Sequence, residues 1–272
     1  MAKISTEDKN QYKEKIKTFN ETIEAILKRE KTILMAVKQD PANAAFKRLA
    51  LVDEMLNLTS YYIILNGVSQ SMLKVKNEDA LNEGRKSLYK CVIYLEEIVS
   101  NLLDASYTDY EEKLVLIESV NAERRYFLIR KMGFTLQLLE NAYGDNTKWR
   151  WAFVELEGRF ATVAKNIFNL KAATANTDPR SPDYEPTVYH LRLIKKLLMQ
   201  AADRYREKYE LSTNRIDDFK AGIHFLNALR RIHVLMGERE EAEIVKKKLD
   251  IWSTKLETDM KRQEEASVKK TV

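Results

Sequence analysis

The side chains most apt for catalysis or metal binding are scarce in this chain, so the three histidines come first: His190, His224 and His233. His224 and His233 lie nine residues apart, about 180° around a helix, and one helix face cannot offer both to a metal. No Asp or Glu stands three residues before any of the three, so the Glu-x-x-His pairs of di-iron bundles are absent. Asp217-Asp218 suggests the aspartate motif that holds magnesium in helical prenyl-transfer enzymes, but the further aspartate expected three residues on is Ala221. Two acids against the positive end of a helix dipole are the better reading there. The sequence also has no Gly-x-x-x-x-Gly-Lys loop, no Gly-x-Gly-x-x-Gly turn and no Gly-x-Ser-x-Gly elbow, which removes the scaffolds that use them. We expect no catalytic residue, no metal site and no cofactor.

One constellation breaks the local pattern. Glu118, Asn121 and Arg125 occupy beats between Ile117 and Leu128 that a buried helical stripe would fill with apolar residues. Steps of three and four place them on adjacent turns of one face, where Glu118 can accept from Asn121 and Asn121 can reach Arg125. In one reading Arg125, with Arg124, forks onto a carboxylate or phosphate of a ligand or partner. In the other, which we adopt, the three form a buried network that meets Glu30 of the first helix. The cluster Trp149-Arg150-Trp151 puts two indoles about 200° apart, so Trp151 points away from the core stripe, as an interface anchor or into a second helix layer. The basic pairs Arg124-Arg125, Lys195-Lys196 and Arg230-Arg231 and the run Lys246-Lys247-Lys248 are scattered among acids. Solvated helix faces explain most of them, with Arg230 and Arg231 kept as candidate interface residues.

What must position these groups is a set of helices. Seven Gly and four Pro in 272 residues are about 4% of the chain against roughly 12% in average usage, too few turn residues for an all-β fold. Hydrophobic content of 44% with 32% charge suits helices that bury one face and solvate the other. Tyr12, Ile16, Phe19, Ile23, Ile26, Ile33 and Val37 recur at steps of three and four, with Glu30 on the missing beat. Asp40-Pro41 ends that helix and starts the next. Leu81, Leu88, Leu95 and Leu102 fall seven apart in a third, with Cys91 and Ala105 in the intervening seam. A fourth helix should run from Thr108 or Asp109 to Tyr143, with Asp145-Asn146 capping a fifth that reaches Leu170. We expect an all-α array or bundle of seven to eight long antiparallel helices: a five-helix bundle over 1–175, a proline-containing connection at 176–187, a three-helix unit over 188–265 and a disordered tail over 266–272.

A net charge of +5 and a pI near 9.0 come without a concentrated basic block, whereas dedicated nucleic-acid binders cluster their charge. The first eight residues contain acids and no apolar run, and Tyr61-Tyr62-Ile63-Ile64-Leu65 is far short of the roughly 18 to 20 residues that span a bilayer. With a single cysteine, Cys91, a cytoplasmic location is expected. The expected function is a non-enzymatic cytoplasmic helical scaffold or adaptor that binds other proteins. The alternatives are a helical nucleic-acid binder using the basic pairs and an enzyme with a cavity in the bundle around Glu118 and Arg125.

Leu229, Gly237, Ala242 and Leu249 are spaced as in a tetratricopeptide repeat, and residues 223–256 resemble one unit of that family. The pattern departs where Arg230 replaces the close-packing Gly, His233 the Tyr and Lys246 the second-helix aromatic. Residues 127–133 are loosely similar to a helix of the 14-3-3 family, whose phosphate-binding Arg-Tyr pair would fall at Gln137 and Leu138. Both likenesses imply a helical scaffold that binds proteins. No family pattern is expected to span the whole chain.

Overall fold

The computed structural model describes residues 5–145 and 147–271, with side chains through residue 265. The chain start 1–4, the expected cap at Asn146 and Val272 lie outside the described residues. Those residues form ten α-helices and no strand: α1 (Thr6–Gln39), α2 (Ala44–Leu73), α3 (Glu78–Ile98), α4 (Glu111–Val115), α5 (Ala122–Tyr143), α6 (Arg150–Asn166), α7 (Leu170–Asn176), α8 (Tyr184–Lys208), α9 (Ile216–Leu235) and α10 (Arg239–Thr271). The expected count of seven to eight falls short for two reasons: the fourth helix is broken between 116 and 121, and a separate short helix, α7, begins where the fifth was expected to end. The backbone of α10 continues through 266–271, where a disordered tail was expected.

Compact packing divides the chain into two units, one built from the chain up to Ser100 with Glu111–Arg150, the other from Asn101–Tyr110 with Trp151 onward. This differs from the expected division at 176–187. Helix α6 belongs with the C-terminal helices because its Gly158 lets Tyr205 of α8 and Phe225 of α9 come close. Glu157 also pairs with Arg204 of α8 at 2.9 Å. Pro186 breaks nothing, since it lies in the first turn of α8, where backbone N–H groups lack intrahelical acceptors anyway.

In the first unit α2 packs against α1, α3 and α5. The α3 heptad holds through Leu81, Leu88 and Leu95, all fully buried. Leu102 does not continue it: α3 ends at Ile98 and Leu102 is exposed. Ser5 starts α1 with a capping box, its Oγ accepting from Asp8 N–H at 3.0 Å while the Asp8 carboxylate accepts from Ser5 N–H. Glu30, the charged residue on α1's inner stripe, accepts from Lys90 Nζ at 2.8 and 2.9 Å and from Tyr94 Oη at 2.8 Å, both on α3. A buried carboxylate so provided with donors is stable where it stands.

In the second unit Ala161, Ile194, Leu198, Phe219, Leu226 and Trp252 belong to the core shared by α6, α8, α9 and α10. The α9–α10 turn passes through Gly237 at φ 72°, a left-handed conformation that favours glycine.

The glycines give a paired test of this packing. A Cβ on Gly158 would lie 2.7 Å from Tyr205 Cε2 and 3.1 Å from Phe225 Cζ, whereas one on Gly67 of α2 meets nothing within 4 Å. Gly158→Ala should lower the Tm by about 2 to 6 °C, overpacking outweighing the helix-propensity gain. Gly67→Ala should raise it by about 1 to 3 °C. Thermal melts that move both variants upward would contradict the placement of α6.

Candidate functional site

The residues singled out between Glu118 and Arg125 do not assemble as a triad, because they do not share one helix. Asn121 is the N-cap of α5, its Oδ1 accepting from Arg124 N–H at 2.9 Å. Asparagine favours that position because its short side chain satisfies an otherwise orphaned N–H. Glu118 is exposed in the preceding turn, and Arg124 is exposed on α5. Arg125 is buried as the network reading required, but against neither Glu118 nor Glu30. Its Nε donates to Val120 O at 2.7 Å and Nη2 to Ile117 O at 2.9 Å. The guanidinium therefore binds the carbonyls of the turn that breaks the expected fourth helix.

Of the other candidates, Trp151 is half-buried at the start of α6. Arg230 is half-buried, with its Nε enclosed and without a hydrogen-bond partner among the described residues. Arg231 is exposed and pairs with Asp104, whose other oxygen lies 3.2 Å from His224 Nδ1. Among the described residues no grouping of three His, Cys, Asp or Glu side chains could hold a metal ion, and no helix is long and apolar enough to cross a membrane. Cys91 is buried, and burial pushes its thiol well above the ordinary range.

The group that stands out electrostatically is one that sequence reasoning missed. Every residue from Phe160 to Phe168 is buried, so the end of α6 is enclosed on all sides, with Lys165 inside it at 6% exposure. Over this end lies the segment Asn101–Tyr110. Asn166 Nδ2 donates to Leu102 O at 3.2 Å, and Tyr107 Oη donates to Asn169 Oδ1 at 2.9 Å. Asn169 Oδ1 also accepts from Ala172 N–H, which caps α7. Tyr110 ends the segment, with its ring edge-on to Tyr107 at 5.7 Å.

Lys165 Nζ sits 5.6 Å from the centre of the Tyr110 ring and has no hydrogen-bond or ion-pair partner among the described residues. Burial is the main cause that holds its pKa down to about 8; the Arg231 charge lowers it further and Asp104 opposes. The Tyr110 hydroxyl is enclosed and unpartnered, and burial raises its pKa to about 12. Such an amine can bind an anion in its charged form and, unlike a surface lysine, is partly neutral near pH 8. In the sequence Lys165 is marked only by its small and apolar neighbours Ala161, Val163 and Ala164, which do not by themselves set it apart from a solvated helix lysine.

The model of the TP0443 family matches residues 8–260. That match overturns the expectation that no family pattern spans the chain, and the tetratricopeptide likeness at 223–256 gives way to it. No curated protein and no solved structure matches.

The depressed Lys165 pKa has a definite sign in stability. Between about pH 8 and 10.5 the unfolded chain holds a proton that the folded chain has lost, so this group's contribution rises with pH across that window and is most unfavourable below it. Lys165→Met keeps the volume and removes the charge. In denaturant unfolding the variant should be more stable than wild type at pH 7, and the gap should close by about 2 to 3 kcal/mol toward pH 10. A gap that does not change with pH would contradict the burial of the ammonium.

Proposed function

We propose a protein-docking role for this chain, which belongs to the TP0443 family: a non-enzymatic helical scaffold that receives another protein on the outer face of α5. The observation that carries this reading is the alignment of Phe127, Phe134 and Leu138, which are 49%, 62% and 38% exposed. Steps of seven and four residues put them within about 40° of one another around the helix. The opposite face of α5, with Ile129, Met132, Leu136 and Leu139, is buried in the first unit. An aligned, exposed apolar stripe on a helix anchored from behind is the form of a contact surface.

Arg124 and Arg130 flank the stripe and are exposed, whereas Lys131 is engaged by Asp53 and Asn57 of α2 at 2.5 and 3.0 Å. The surface therefore suits an amphipathic helix with acidic residues beside its apolar anchors. The basic pairs give the nucleic-acid alternative little support. Arg125 is directed to backbone carbonyls, Arg231 to Asp104, and Lys195 to Glu238. The enzyme alternative drew on a cavity around Glu118 and Arg125; Glu118 is exposed and the Arg125 guanidinium is taken up by the Val120 and Ile117 carbonyls, which gives that reading little support. The cytoplasmic location expected from the single cysteine goes with the scaffold reading.

Affinity capture from the source cell with the full chain tests the proposal. Wild type should retain a specific protein, and Phe127→Asp with Phe134→Asp should lose it at least tenfold while the circular dichroism and Tm stay close to wild type. Undiminished capture by the double variant would defeat the reading, and so would recovery of no protein by wild type.

A further inference from the structure

The end of α6 carries a second site, independent of the α5 surface. Lys165 is buried without a hydrogen-bond acceptor, and the face of the Tyr110 ring at 5.6 Å attracts its charge while leaving its N–H donors unmet. The Tyr110 hydroxyl, on the same ring, is enclosed and also unpartnered. Buried donors in native proteins are nearly always satisfied; the Tyr110 hydroxyl is an enclosed orphan, and the Lys165 ammonium beside the same ring has no acceptor among the described residues, so one ligand would serve both.

The charges nearby give the sign of that acceptor. Lys165 feels the positive charge of Arg231 and the negative charge of Asp104. Asp104 is itself claimed on one oxygen by Arg231 and approached on the other by His224 at 3.2 Å. The Lys165 ammonium and the Arg231 guanidinium thus stand against one carboxylate, which leaves an excess of positive charge. Arg231 is half-exposed and gives the cluster a solvent-facing member. A neutral acceptor would serve the hydroxyl but not the ammonium, whereas an oxyanion offers several acceptor oxygens together with the missing negative charge.

We propose that Lys165 and Tyr110 form the buried end of a binding site for a small oxyanion ligand, a carboxylate or a phosphate, with Arg231 as its solvent-facing cation. In the bound state the ammonium and the phenol O–H donate to the ligand's oxygens. Asp104 pairs with Arg231 and holds it in place.

The test uses the full chain with its lysines labelled at Cε with carbon-13. The Lys165 resonance is identified by its loss in Lys165→Met, and its pH midpoint is followed in chloride, in inorganic phosphate and in acetate at matched ionic strength. Binding to the ammonium form raises the midpoint, so at least one of phosphate and acetate should move it upward by about one pH unit, a tenfold change in the protonation ratio. The anion with the larger effect distinguishes a phosphoryl from a carboxylate ligand. The same anion should raise the Tm of wild type and leave that of Lys165→Met unmoved, and Tyr110→Phe, which keeps the ring, should weaken the response several-fold. One midpoint in all three salts, or an equal thermal response in wild type and both variants, would overturn the proposal. Because none of these residues lies on α5, this outcome is separate from that of the capture experiment.

Discussion

The two hydrogen bonds from the Arg125 guanidinium to Ile117 O and Val120 O fix the point where the chain stops following its own periodicity. The carbonyls of a broken helix need donors, and in this turn Ile117 is buried while Leu116, Glu118 and Ser119 beside it are exposed, so the Ile117 and Val120 carbonyls are the ones that take theirs from a side chain. Arg125 supplies them from the first turn of the next helix, and Asn121 closes the other side by capping α5. With its start held in this way, α5 turns Ile129, Met132 and Leu139 toward α2 and α3. The same rotation leaves Phe127, Phe134 and Leu138 outside. The inner core of the first unit and its outer apolar stripe are two consequences of one anchored helix start.

Buried polar groups in this chain fall into two kinds, and the difference separates structure from candidate function. Arg125 has backbone carbonyls, Glu30 has Lys90 and Tyr94, and Asn66 Oδ1 accepts from Asn77 N–H where α2 gives way to α3. Each of these would leave a specific partner stranded if removed, the usual mark of a structural role. Lys165 and Tyr110 have no such partners. Removing the Lys165 charge should relieve the fold, so its presence asks for an explanation beyond folding.

Much of the helical order was legible in the sequence, because the apolar steps of α1, the Asp40-Pro41 break and the leucine heptad of α3 as far as Leu95 depend only on neighbours along one helix. The break at 116–121 was not read, although its signals were there. Asn121 is a favoured capping residue and Glu123 an acid in the first turn, but Leu114 and Ile117 stay in phase with the stripe beyond, so periodicity ran straight through. Pro186 misled in the opposite direction, since a proline in a helix's first turn costs nothing. Gly144 marks the end of α5, but nothing in the sequence marks the division near 150 as one between units; it arises because α6 packs on α8 and α9, which is tertiary information. Arg125 was placed rightly inside but with the wrong partners, because sequence spacing suggests side-chain neighbours and not the carbonyls of a turn. Lys165 escaped notice because a lone lysine on a helix is ordinarily solvated, and only the all-round burial of residues 160–168 makes it exceptional.

Arg125 bonds the backbone and is not a ligand-binding arm, and denaturant unfolding of Arg125→Met measures this. Methionine retains much of the apolar stem and removes every donor, so the Ile117 and Val120 carbonyls lose their guanidinium. A loss of about 2 to 4 kcal/mol is predicted, with faster amide exchange across 117–129. A stability within about 0.5 kcal/mol of wild type, the range of an unremarkable surface substitution, would contradict the claim that this arginine holds the break on which α5 depends.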